Sequence, residues 1–280
     1  MHKLSITIGK NKLRVLSIVL VLLLPFLLVA QEENWDVYMA QYDDKPGSTV
    51  LNMSLKTKAP FRDLPFVCIT GVKFSDCTSD GLPTPTAFPE LYKIGDTIKS
   101  NINRLVKNML VGSFTHQCER LDYFYVADTT GLRQMLLDIY AKQFPSFIPY
   151  FNIKDDANWQ AYFKFLYPGE EAFEFMQNQK VVMQVYNAGD NLTKERQVDH
   201  WLYFKTENDR DDFITYARSQ HYKIESKERI EGSLNKFKLQ ISRVDNIQLA
   251  NISKITLELR RQAVKRNGDY DGWETFVVKD

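Results

Sequence analysis

Cysteine is scarce in this chain, with Cys68, Cys77 and Cys118 the only three in 280 residues. No two of them form a CxxC, which removes a dithiol redox motif and a thiolate metal clip. No GxSxG, HExxH or glycine-rich phosphate loop occurs, so the common esterase, zinc-protease and nucleotide signatures are excluded. Histidine is sparse too, at four residues, and none stands in a Ser/His/Asp order. Charge of either sign is not in excess, with 36 Lys+Arg against 35 Asp+Glu. Nothing in this inventory calls for a metal or a cofactor.

What is present starts with a leader. His2, Lys3, Lys10, Lys12 and Arg14 are basic, and no acidic residue precedes Glu32. Val15 to Ala30 is then almost wholly apolar, broken by Ser17 and Pro25, and gives way to Gln31-Glu32-Glu33-Asn34. Basic region, apolar core and small-residue exit follow the order of a secretory signal peptide. The apolar run is shorter than the ~20 residues of a spanning helix. The expectation is a signal peptide at 1–30 and a periplasmic or secreted protein, membrane-bound only if the leader stays uncleaved. Four basic residues leave with it, so 32 face 35 acidic ones, a net of −3. That mild acidity argues against a nucleic-acid partner, whose phosphates need a basic face.

The remaining 250 residues exceed a typical domain of roughly 100 to 150, which predicts two domains. The order of elements repeats. Phe66 to Val72 reads as a buried strand, and Glu90 to Asn108 has apolar residues at helical spacing. Leu110–His116 and Leu121–Ala127 form a hairpin, Thr129–Phe144 a second helix, and Phe147–Ile153 a strand. The second series runs from His200–Phe204 through a helix capped by Thr206, a hairpin of 222–230 with 235–244, and a long helix capped by Asp245 or Asn246. Gly268 ends that helix, and Thr275–Val278 is the expected closing strand. Both series spell βαββαβ, so the expected class is α+β, two ferredoxin-like domains with helices on antiparallel sheets. An extra hairpin, Trp35–Tyr42 with Ser48–Lys56, precedes the first. The acidic Asp155-Asp156 opens a short aromatic helix ending at Tyr167-Pro168-Gly169, and the boundary falls within Pro168 to Lys180. The domains are thus 31–170 and 180–280.

The stretch Gly268-Asp269-Tyr270-Asp271-Gly272-Trp273-Glu274-Thr275, with His200-Trp201-Leu202-Tyr203-Phe204, resembles the family of regulator of ribonuclease E activity B. That resemblance spans about 196–279 and implies a ferredoxin-like fold and inhibition of a ribonuclease. The first half resembles domain of unknown function 695, through Asp80-Gly81-Leu82-Pro83, Val111-Gly112, Tyr123-Phe124-Tyr125, Asp156-Ala157-Asn158-Trp159 and Leu166-Tyr167-Pro168. It implies no activity.

In a βαββαβ unit the first strand's end, the central hairpin and the last loop share one edge. In the second domain this gathers Glu231 with Asp269, Tyr270, Asp271 and Trp273, an acidic rim with two aromatics suited to a protein contact. The bland alternative is that Trp273 packs inward and Gly268 and Gly272 serve a turn. Asn267-x-Asp269-x-Asp271-Gly272 has half the spacing of a calcium loop, but Val278 stands where the bidentate Glu belongs, so no cage is expected. The Asp80–Pro89 loop is a second candidate surface. The same edge logic brings Cys77 near Cys118, making a disulfide one candidate pairing whose Cα separation the sequence leaves open. His200 alternates with Val198, Leu202 and Phe204 and reads as a packed histidine.

The function these residues imply is a noncatalytic protein-binding or regulatory module of unknown partner. The competing expectation is an envelope hydrolase using paired carboxylates, Asp269 with Asp271 or Asp155 with Asp156. Ribonuclease inhibition is a third reading, carried by the family resemblance alone.

Overall fold

Why the first half folds as it does is visible in its hairpin. The structure, a computed structural model, describes residues 33–279 apart from Ser233, so the expected leader lies outside the described residues. Trp35–Tyr42 (β1) and Lys45–Asn52 (β2) pair through Asp43-Asp44, both at positive φ, a turn whose twist matches that of the strands. Then follow Phe66–Lys73 (β3), Phe88–Leu105 (α1), Asn108–His116 (β4), Glu119–Val126 (β5), Leu132–Gln143 (α2) and Ile148–Asp155 (β6). They build one antiparallel sheet in the order β1-β2-β4-β5-β3-β6.

Both faces of this sheet carry a core. On one, Leu91, Ile94, Ile98 and Ile102 of α1 and Leu132, Leu136 and Ile139 of α2 pack on Cys68, Val72 and Phe124. The other is closed by 156–167, which places Trp159, Tyr162 and Leu166 over Val67, Tyr123 and Tyr125. Trp159 stacks on Tyr125 at 3.8 Å, and its Nε1 donates to the Leu64 carbonyl at 3.1 Å. Buried Asp156 organises the segment by accepting from the Tyr125 hydroxyl at 2.6 Å and the Gln160 and Ala161 amides at 2.7 and 2.8 Å.

Cys77 and Cys118 form a disulfide with Cα atoms 5.8 Å apart, while Cys68 is free and buried. The bond staples the 74–87 loop to the β4–β5 turn, where the Cys118 amide also donates to the Gly81 carbonyl at 2.8 Å. Gly81 has a φ of +80°, and a Cβ there would lie 2.7 Å from Cα of Gln117. The Asp80–Pro83 stretch is therefore braced against the hairpin tip.

The second half comprises Glu170–Asn187 (α3), Arg196–Phe204 (β7), Glu207–Ser219 (α4), Lys223–Arg229 (β8), Phe237–Asp245 (β9), Leu249–Val264 (α5) and Gly268–Glu274 (β10). Its strands pair antiparallel in the order β10-β7-β9-β8. Phe213 and Ala217 of α4 and Ile255, Leu259 and Ala263 of α5 cover one face of the sheet, over Leu202, Phe204, Leu239 and Ile241. Thr206 caps α4 by accepting the Asp209 amide at 3.1 Å. The chain is thus mixed α+β with two antiparallel sheets.

Within the stretch 168–180, where the boundary is expected, an 18-residue helix starts at Glu170. Its Met176 enters the first core, its Val182 packs with Trp273, and its Glu174 pairs with Arg260 of α5 at 2.6 Å. The long helix α5 is not capped by Asp245 or Asn246; it starts behind Gln248, since Asp245 is held in a two-pronged pair with Arg243 at 2.9 and 3.2 Å. The closing strand is Gly268–Glu274 itself and not Thr275–Val278. The latter is a tail tied down by Arg196 and Asp190, whose fully buried side chains pair with each other. Asp190 accepts the Val278 amide at 2.7 Å, and the Asn191 amide donates to the Val278 carbonyl at 2.8 Å.

A disulfide closing 41 residues restricts the unfolded chain. Replacing Cys77→Ser with Cys118→Ser is expected to cost about 2–4 kcal/mol of unfolding free energy. Urea denaturation with and without reductant measures it, and a midpoint indifferent to reductant would mean that the bond does not staple the fold.

Candidate functional site

Strand β10 is an edge strand with a built-in irregularity. Tyr270 pairs with Leu202 and Gly272 with Trp201, so Asp271 is the extra residue of a β-bulge. Gly272 supports the bulge with a φ of +140°, a conformation that favours glycine. Bulges and charges on an edge discourage uncontrolled strand pairing while re-aiming side chains. Here the consequence is a sharp division. Tyr270 and Trp273 face the core, and Asp269 and Asp271 are exposed.

The inward residues explain the position of the strand. Trp273 packs with Val182, Val198, Ile247 and Ile252. Its Nε1 donates to Asn178 of α3 at 2.7 Å, and Asn178 in turn donates to the Thr256 hydroxyl of α5 at 2.7 Å. Arg260 lies over the Tyr270 ring at 5.4 Å. The two aromatics expected at the centre of an exposed rim are therefore anchors beneath it, because strand alternation sends them inward. The segment is a strand, not a loop.

Two shallow depressions flank the strand. One, of about 510 Å³, is lined by Tyr203, Ile230, Asn235, Arg260, Asp269, Tyr270 and Asp271. The other, of about 350 Å³, lies toward α3 and is lined by Phe173, Gln177, Val181, Asp271 and Gly272 among others. Asp271 and Tyr270 border both. Asn235 donates to Asp269 at 2.7 Å, which ties the β8–β9 turn to β10. Glu231 sits on that turn, exposed and 3.6 Å from Arg229. The turn carrying Glu231 thus lies at the sheet end where Asp269 stands.

Of the carboxylates named for a hydrolase, Asp155 and Asp156 are engaged locally. Asp156 is committed to the three hydrogen bonds described above, and exposed Asp155 accepts the Ala157 amide at 3.2 Å. Asp269 and Asp271 stand on an open edge rather than in an enclosed pocket.

His200 is fully buried, with Nδ1 2.9 Å from the Tyr270 hydroxyl and Nε2 without a hydrogen-bond partner among the described residues. Burial, helped by the charge of Arg243, pushes its pKa down to about 3.

Two further residues, which the sequence marks only as members of a strand, border the site. Trp201 and Tyr203, on β7, point away from the helices and are half-buried. The signal was there: they alternate with the inward set of Val198, His200, Leu202 and Phe204.

The exposed carboxylates and the aromatics beneath them lie on β10, with Glu231 on the β8–β9 turn, and α3 adds the Asn178 bridge and one wall of a depression. Residues 175–275 match the family regulator of ribonuclease activity B. Residues 33–167 match a family of unknown function, DUF695. No curated protein matches the chain. The regulator match includes most of α3, so it takes in the Asn178 bridge as well as the edge. Asp269, Tyr270, Asp271, Trp273 and Glu231 all fall within it, and the DUF695 match contains the disulfide and the Asp156 network.

The buried His200 makes stability depend on pH in a stated direction. Its imidazole stays neutral in the fold down to about pH 3, whereas in the unfolded chain it protonates near pH 6.5. Between those values the unfolded state binds the extra proton, so stability is greatest above pH 6.5 and declines as the pH falls. The slope is about 1.4 kcal/mol per pH unit for one proton. Urea titrations at pH 6 and pH 4.5 are expected to show that loss in the parent and its removal in His200→Gln.

Proposed function

We propose that this chain is an exported, noncatalytic module that holds a protein partner along the β10 edge, with Asp269 and Asp271 as its contact residues and Glu231 on the adjoining turn. The observation that carries this is the bulged edge strand, whose aromatics are spent inside while its carboxylates stand exposed between two depressions. Rigid support beneath exposed charge suits recognition, since little ordering is left for binding to impose. The family matched by 175–275 is by name a regulator of ribonuclease activity, which supports a regulatory role through protein contact. Ribonuclease inhibition remains the narrower form of this reading.

Both sheets contain a βαββαβ run with the order fourth-first-third-second, which supports a ferredoxin-like reading of each half. In this reading the halves are domains of about 31–170 and 180–280. Export is supported by the leader and by the Cys77–Cys118 bond, since disulfides persist in oxidising compartments. Recovery of the protein from its native host is expected to give a mature chain starting at Gln31. Amino-terminal sequencing of the cell-envelope fraction decides this, and a retained Met1 there would remove the cleaved leader.

Affinity capture from the envelope with tagged residues 31–280 is expected to yield a stoichiometric partner. Asp269→Ala with Asp271→Ala should abolish that capture while leaving the unfolding free energy from urea titration within about 0.5 kcal/mol of the parent, as exposed substitutions do. Equal capture by the double variant would remove this edge as the contact surface.

A further inference from the structure

The four-stranded sheet has a face that its helices leave alone. Strand register fixes what is displayed there. Tyr203 lies between Asp269 and Lys238, Trp201 between Gly272 and Gln240, and Asp199 between Glu274 and Ser242. Beyond β9 the rows continue into Glu228 and Ser226 of β8. Trp201 is therefore central, and its neighbour on β10 has no side chain. A Cβ built on Gly272 would meet nothing within 4 Å, so this flank of the indole is open. Tyr203 opens into the 510 Å³ depression beside Asp269.

The charges around these rings are unequal. Lys238 is 3.5 Å from Glu228, and Lys223 is 3.0 Å from Glu225. Asp199, Asp269, Asp271 and Glu274 have no ion pair among the described residues. Asp199 is held upright by the Gln197 and Gln240 amides at 3.1–3.2 Å, which leaves carboxylate lone pairs available. Arg260 borders the depression and Lys238 flanks Tyr203, yet carboxylates outside any described ion pair are in excess around the two half-buried aromatics, which disfavours phosphates and favours a cation with a flat face. Guanidinium fits both demands, because it stacks on an aromatic ring while its N–H groups reach carboxylates in its own plane.

Spacing sharpens the match. Residues two apart on a strand project from the same face about 7 Å apart. An extended segment has the same repeat, so alternate side chains reach Trp201 and Tyr203 in register.

We propose that this face is a docking platform for an extended arginine-containing segment of a partner protein, of the pattern Arg-x-Arg, with one guanidinium over Trp201 and the next over Tyr203. Asp199 and Glu274 pair with the first, Asp269 with the second. This rests on the reading that the second half binds a protein, and it names that partner's chemistry.

The test is fluorescence anisotropy of a labelled Arg-Ser-Arg-Ser-Arg peptide titrated with the mature protein, residues 31–280. Saturable binding is expected, with the lysine counterpart binding several-fold more weakly. Trp201→Leu is expected to weaken it about tenfold, within the range of a desolvated cation–π contact. Asp199→Asn, which preserves shape, covers the case in which the tryptophan variant fails to fold, and is expected to weaken binding several-fold. No saturable binding, equal binding of the lysine peptide, or affinity unchanged in folded Trp201→Leu or Asp199→Asn would overturn the proposal. Tighter binding of a single-stranded oligonucleotide than of the arginine peptide would overturn it as well. The outcome is separable from the edge hypothesis. A captured partner that needs Asp269 and Asp271 but tolerates Trp201→Leu leaves the module reading intact and sinks the platform.

Discussion

The buried amide of Asn178 holds the candidate site together. It accepts from Trp273 and donates to Thr256, so one side chain on α3 joins β10 to α5. A buried amide in such a place is costly unless its hydrogen bonds are made, because nothing inside replaces lost water. With both made, it fixes the distance between helix and strand. Without it the edge strand would keep its ladder to β7 and the packing of Tyr270 and Trp273, but lose the polar tie that joins it to α3 and α5. Tyr270 and its overlying Arg260 then act on a strand already in place, and Arg260 is itself oriented by Glu174 from the same helix.

Helix α3 consequently serves both halves. It delivers Met176 to the core beneath the first sheet and Val182 to the cluster around Trp273. Polar pairs reinforce the arrangement, with Arg261 reaching Glu170 and Glu171 at 3.0 and 3.1 Å. The exposed pairs contribute little individually, whereas the shielded Glu174–Arg260 pair matters for orientation. In the first half the corresponding organiser is Asp156, whose hydrogen bonds shape the segment that places Trp159 on Tyr125. Each half thus relies on a buried polar group that is valuable because it is satisfied.

Much of this was legible in residue order. Leu91, Ile94, Ile98 and Ile102 announced α1 by spacing, and Thr206 with Asp209 announced the start of α4. What was missed has physical causes. The sequence of α3, with apolar residues scattered among Gln, Glu and Asn, lacks a single apolar stripe because it touches partners on more than one side. Gly268 to Glu274 contains two glycines and two aspartates, which read as a turn. It is a strand because β7 supplies a ladder and the core accepts Tyr270 and Trp273. Trp201 and Tyr203 read only as strand residues, because which face of the sheet the helices leave uncovered is set by long-range packing.

The sequence by itself determined the alternation of strands and helices, the hairpin turns and the residues apt for burial, since these depend on contacts within a few positions. It also set the stock of carboxylates and aromatics available to any binding surface. Only the tertiary structure decided which of them meet. Trp201 acquires its open flank because Gly272, 71 positions along, is its pairing partner in a bulged register. Asn178 becomes a bridge because α3 lies close to both β10 and α5. Register and helix packing are long-range, and local sequence carries no information about which distant residue will stand opposite.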